Sequence, residues 1–224
     1  MSTLEFKNVT AGVRRDAGVL RNVTFEVDAG ELVAVWGVRR SGKSTLLRVA
    51  AGLVKPTAGE VLLDGAPVRD RTPHTGWFDQ TLSSYQAGSV AEHVAVPLLP
   101  RGVPGKLAVA RATATLKRVG IGDLARANPG DLKPAELVRA GIARALVARP
   151  LLLIADEPTA TVGLLDVDPI FELLRSITDE GAAVLVTIGE AADAPRSDRM
   201  LTLGGGLLRG ETIPSVADVV PLAR

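Results

Sequence analysis

The chain contains no cysteine, only two histidines and 3% aromatic residues among its 224 positions. Without cysteine there is no disulfide, no thiolate nucleophile and no cysteine zinc site. His74 and His93 are too few for a histidine-rich metal cluster. No apolar run approaches the ~18 residues of a membrane-spanning helix, and the start MSTLEFKNV carries no apolar signal core. The expectation is a chain made and kept in the cytoplasm. Nor does charge of one sign dominate: 26 basic residues stand against 25 acidic ones, which gives no global nucleic-acid signature and leaves a local basic patch open.

What is present is a hydrophobic fraction of 46%, which excludes a disordered chain. The length suits one substantial α/β core with a small inserted lobe, and is too short for two large domains. The most informative stretch is residues 32–45, LVAVWGVRRSGKST. An apolar strand-like run meets Gly37, then Val38, Arg39, Arg40 and Ser41, then Gly42, Lys43, Ser44 and Thr45. This is the spacing of a phosphate-binding loop that opens a helix, and the flanking strand and helix patterns supply the context the motif demands. Successive backbone N–H groups and the helix N-terminus can face anionic oxygens, Lys43 can reach the β and γ phosphates, and Ser44 can hold magnesium.

Residues 4–10 and 19–27 read as strands of an antiparallel layer about a turn at 12–18. After the loop and its helix, which should stop near Gly52, residues 60–63, those after Gly65 and 74–78 are short strand candidates leading to Asp79 and Gln80. From 82 to about 147 the pattern is helical, with helices over 91–96, 103–119 and 137–146. The sheet resumes at 151–155, five apolar residues without alternation, which implies burial on both faces. Helix 165–178, strand 183–188, a short helix near 190–194 and strand 200–203 follow. Residues 211–224 are expected as a small docked helix or a tail. Strand, crossover helix and parallel strand repeat as in an open α/β sheet.

The apolar strand 151–155 delivers Asp156 and Glu157. An aspartate there can hold the hydration shell of a magnesium ion bound by Ser44, and Glu157 is positioned to orient or deprotonate an attacking water. The lesser alternative, taking the two acids alone, is that they cap the next helix.

With these residues in place, the chain resembles the nucleotide-binding subunit of an ATP-binding cassette (ABC) transporter over nearly its whole length. SVAEHVAVPLL at 89–99 is similar to the helical-lobe entry of the short lipoprotein-releasing and macrolide-export subunits. LLLIADEPT at 151–159 looks like the family's metal and catalytic-glutamate strand, GIARALVARP at 141–150 follows it, and SDRMLTLGGG at 197–206 resembles its last strand and turn. The resemblance implies an α/β P-loop NTPase (RecA-like) core with an antiparallel β lobe and an inserted helical lobe. One domain would span 1–224, with the β lobe and phosphate-loop part of the core in 1–81, the helical lobe in 82–147 and the rest of the core and a short tail in 148–224. It implies ATP and Mg²⁺ as cofactors. Glu157, Gln80 and Lys43 would be catalytic; Ser44, Gln80 and Asp156 would serve the metal; and Val13 would stand where an aromatic residue stacks on adenine, with Arg14 or Arg15 as a substitute. The implied partners are an integral-membrane permease and a second ATP-binding subunit, identical or different, on the inner face of the cell membrane, with no nucleic acid.

Several positions depart from the family. Its signature, usually Leu-Ser-Gly-Gly-Gln, falls on Leu132, Lys133, Pro134, Ala135 and Glu136, and only the leucine survives. Pro134 has no N–H to give, and Glu136 brings negative charge to a place that should receive an anion. The histidine expected at the γ-phosphate falls at Ile188, which cannot hydrogen-bond. The aspartate after the catalytic glutamate falls at Gly163, with Asp166 three residues late. Arg40 stands where glycine is usual; if that position needs positive φ, arginine costs about 1 kcal/mol or more. Its guanidinium could offset part of this at a phosphate, but the reading preferred from the sequence is arginines that face the surface. The reading is therefore an ATP-driven transporter subunit, the alternative a catalytically impaired ATP-binding regulator paired with an active ATPase or controlling a membrane complex. A nucleic-acid-associated ATPase is a third, disfavoured by the neutral charge.

Overall fold

The computed structural model describes residues 2–12, 20–69, 74–78 and 88–213. Strands β1 (Ser2–Ala11), β2 (Leu20–Asp28), β4 (Ala58–Leu63) and β5 (Ala66–Pro67) form an antiparallel sheet in the order β2-β1-β4-β5. A second sheet runs β10-β9-β3-β8-β7-β6. Its members are β3 (Leu32–Trp36), β6 (Thr75–Phe78), β7 (Leu152–Ala155), β8 (Ala183–Ile188), β9 (Arg199–Gly204) and β10 (Leu207–Thr212). From β9 to β6 every pair is parallel, and β10 closes one edge antiparallel to β9.

The period-two geometry of a strand explains the layers. Val33 and Val35 of β3, Leu152 and Ile154 of β7, and Ala183 and Leu185 of β8 pack with the antiparallel sheet and with Leu46 and Leu47 of helix α1 (Lys43–Ala50). Leu32 and Ala34, Leu153 and Ala155, and Val184, Val186 and Ile188 face the opposite core. That core is closed by α2 (Val90–Ala95), α3 (Gly105–Arg118), α4 (Pro134–Leu146) and α5 (Leu164–Asp179). A strand covered on both sides has no polar face, hence the unbroken apolar runs of β3 and β7.

The expected elements recur with small shifts. Three local differences have physical causes. The helix expected from 137 begins at Pro134, because proline is favoured at a first helical position, where the missing N–H is no loss. The short helix near 190–194 is a 3-10 turn over Ala191–Arg196 containing Pro195. Glu211 and Thr212, assigned to the tail, belong to β10, because the Gly205-Gly206 turn, with φ of 58° and 78°, folds the chain back into a hairpin. Ile213 follows β10 as an exposed residue, and 214–224 lie outside the described part. Among the described residues no helix is long and apolar enough to cross a membrane.

The entry to α2 is fixed by a capping box: Ser89 Oγ accepts from the Glu92 N–H at 3.4 Å, and the Glu92 carboxylate accepts from the Ser89 N–H at 2.7 Å. That backbone bond, then the Ser89 hydroxyl, holds the Glu92 carboxyl below its ordinary range. Its contribution to stability is complete above the unfolded-state value and is lost as pH falls through the lower folded value. The loss of this cap should be visible in an acid titration of thermal stability as a component absent from Glu92→Gln.

Helix α4 lies against β6 with no room between backbones: a Cβ at Gly76 would sit 2.6 Å from the Ala145 carbonyl oxygen. Gly76→Ala must push α4 away, and overpacking of this kind costs about 1–3 kcal/mol. Thermal unfolding should fall by roughly 2–4 °C for each kcal/mol lost, and an unchanged transition would contradict the close approach.

Candidate functional site

Three parallel strands bring the expected residues together. The carboxyl end of β3 continues into the loop at 37–42, the end of β7 into Asp156 and Glu157, and the end of β8 into Gly189. Because β3, β8 and β7 are neighbours in that order, these ends form one crevice, the usual place for a ligand in an open α/β sheet. A cavity of about 660 Å³ lies there, walled by residues 36–45 with Glu157 and Gly189.

The loop owes its path to two glycines. A Cβ on Gly37 would stand 2.2 Å from the Leu203 carbonyl oxygen and 2.6 Å from Ser41 Oγ, so no other residue fits. Gly42, at φ 113°, is the N-cap of α1 and turns the chain into it. Helix α1 starts with no side-chain cap and no acidic residue in its first turn, which leaves its first amides and the positive end of its dipole available to an anion. Ser41 Oγ is buried without a protein partner. Lys43 Nζ donates to the Gly37 carbonyl at 2.6 Å and lies 3.3 Å from Glu157 Oε1. This donor set suits a nucleotide triphosphate.

The acidic pair is held by a residue that the sequence reading passed over. Thr187, fully buried in β8, accepts from the Glu157 N–H at 2.8 Å and donates to Asp156 Oδ1 at 2.7 Å. One hydroxyl thus fixes the exit of the neighbouring strand, where Glu157 adopts φ 42°. A lone polar residue inside AVLVTI was the available signal. Trp36 and Gly189, which line the cavity, were also missed; neither carries a charge or motif that singles it out.

The departures from the family pattern have structural outcomes. Arg40 does sit at positive φ, 66°, and its side chain and that of Arg39 are exposed where they line the cavity. Left-handed backbone at a residue with a Cβ costs roughly 1–2 kcal/mol. Ile188 is fully buried in the core on the α4 and α5 side and offers nothing to the cavity. The Glu136 carboxylate accepts from the Lys133 N–H at 2.8 Å, and Pro134 takes the first helical position, so α4 caps its own N-terminus. Gly163 is the N-cap of α5 and Asp166 lies in that helix's first turn, while Leu164 and Leu165 are each 92% exposed. Gln80 and Val13, with Arg14 and Arg15, lie outside the described residues.

A family model described as ABC transporter matches residues 20–160. The chain belongs to the ABC transporter family. It is 36% identical to the lipoprotein-releasing system ATP-binding protein LolD of Paramagnetospirillum magneticum, over 86% of this chain and 90% of that protein. It is 33% identical to the macrolide export ATP-binding/permease protein MacB of Brucella melitensis, over 87% of this chain and 31% of that protein. Among solved structures, the dimeric ATP-binding cassette MJ0796 in a post-hydrolysis state bound to ADP and Pi superposes with a TM-score of 0.82, at 28% identity over 94% of this chain and 98% of that one. As a member of the ABC family the chain is an ATP-binding and ATP-hydrolysing subunit that works with a second such subunit and couples to a membrane permease.

Replacing Thr187 by valine leaves the Glu157 N–H and the Asp156 carboxylate without that partner, at a cost of about 1–3 kcal/mol. Thr187→Val should lower the thermal transition and slow ATP turnover, whereas Thr187→Ser should restore most of both. Equal behaviour of the two variants would remove the bridging role.

Proposed function

We propose that this subunit binds Mg-ATP between residues 37–45 and the Asp156-Glu157 pair, and cleaves it slowly. The observation that carries the reading is the convergence of Lys43, the open start of α1 and Glu157 on one cavity. Lys43 leaves its contact with Glu157 to meet the β and γ phosphates. The Ser44 hydroxyl and the Asp156 carboxylate, with Gln80, serve the metal. A magnesium ion takes few protein ligands and relies on phosphates and water for the others. Glu157 orients or deprotonates the attacking water.

The chain acts as one domain, with a β lobe and phosphate-loop part in 1–81, a helical lobe in 82–147 and the rest of the core in 148–224. It works peripherally on the inner face of the cell membrane, and its likeness to LolD and MacB favours an assembly that extracts lipid-linked cargo or exports small molecules. A second reading, an ATP-binding regulator paired with a faster ATPase, is supported by the self-capped start of α4 and the burial of Ile188.

Co-purification from membranes followed by ATPase measurement on the intact assembly separates the two. A homomeric pair whose turnover is abolished by Glu157→Gln supports the first; a partner ATPase that retains activity when this chain carries Glu157→Gln supports the second. Absence of ATP binding in the presence of magnesium would sink both.

A further inference from the structure

The Arg40 backbone is strained, and nothing within the described residues rewards the strain. Its φ of 66° is a conformation that glycine adopts freely and arginine does not. Among the described residues, no hydrogen bond or ion pair engages the side chain of Arg39 or Arg40. Both are exposed, and both line the cavity.

The charges around that cavity are unevenly matched. Lys43 and Glu157 lie 3.3 Å apart and largely offset one another, with the Lys43 ammonium also held by the Gly37 carbonyl. The two guanidiniums are the surplus. The end of β8 adds no cation, since Ile188 is buried on the far face of the sheet and Gly189 has no side chain. A nucleotide seated against α1 therefore meets its extra positive charge at Arg39 and Arg40. Of these, Arg40 is the one whose place in the loop is fixed by a left-handed turn, between the Ser41 N–H bond to the Val38 carbonyl at 3.0 Å and the Gly42 cap of α1. A guanidinium presents a planar fork that matches phosphate oxygens, which an ammonium does not.

We propose that the Arg40 side chain binds the terminal phosphate of ATP and makes the site favour ATP over ADP. The inference rests on the nucleotide-site reading and assigns to this one residue the charge recognition at the end of the triphosphate. It accounts for an arginine at a position whose backbone calls for glycine: stability is given up for phosphate affinity.

The test is calorimetric titration of the full chain with Mg-ATP and Mg-ADP, alongside thermal unfolding, for Arg40→Ala, Arg40→Gly, Arg40→Lys and Lys43→Ala. Loss of a charged contact should weaken ATP binding roughly tenfold in Arg40→Ala and Arg40→Gly, and ADP binding by no more than about threefold. Alanine keeps the left-handed strain and should leave the thermal transition in place, whereas glycine relieves it and should raise the transition by roughly 2–4 °C. Lysine should recover part of the ATP affinity. A residue that only shapes the loop would move stability and leave the ratio of ATP to ADP affinity untouched. If Lys43→Ala loses ATP while Arg40→Ala and Arg40→Gly bind it within about twofold of the parent, or lose ATP and ADP equally, the inference is overturned and the site stands. If Lys43→Ala binds ATP as the parent does, the nucleotide site itself is misplaced and the inference falls with it.

Discussion

The parallel pairing of β3, β8 and β7 is the constraint from which the rest follows. Val33 opposite Leu185 and Ile154 opposite Leu185 set the level at which the three strands end. A shift of one residue in either register would send every side chain to the wrong core and separate the loop at 37–42 from Asp156 and Glu157. Two apolar cores, one on each face, hold that register. The Thr187 hydroxyl then makes the last adjustment, joining two strands at the point where their apolar sequences stop. The chemistry of the site is an end effect of the packing beneath it.

The starts of α1 and α4 differ in kind. At α1 the amides are uncapped and the residue before them is a glycine with φ 113°. At α4 a proline removes one donor and a glutamate occupies another. The first end attracts anions and the second has satisfied itself. The start of α1 therefore has more free donors to offer a phosphate than the start of α4.

Much of this was legible in the sequence because the signals were of the strongest local kind. Glycines at 37 and 42 beside Lys43 and Ser44 define a loop with almost one solution, and five-residue apolar runs without alternation, too short for a helix, read as strands covered on both faces. The acidic pair was placed by the strand that precedes it. The less legible features depended on tertiary partners. Glu136 looked like misplaced charge until its bond to the Lys133 N–H gave it a structural task. Strand β10 was missed because LLRGET carries no marked alternation and gains its place only by pairing with β9. Thr187 was hidden because a single polar residue in a buried strand declares nothing until its neighbours across the sheet are known.

The contact at Gly76 gives α4 a mechanical character. Its carboxyl-terminal end is seated on β6 backbone to backbone, while the other end of this thirteen-residue helix carries the segment from Lys133 to Glu136. From Ala145 to Pro134 the helix runs about 16 Å. A tilt of roughly 5° about the seat at Ala145 would swing the tip by about 1.4 Å over that length. The close approach at Gly76 thus makes the start of α4 the part that any small rotation of the helix moves most.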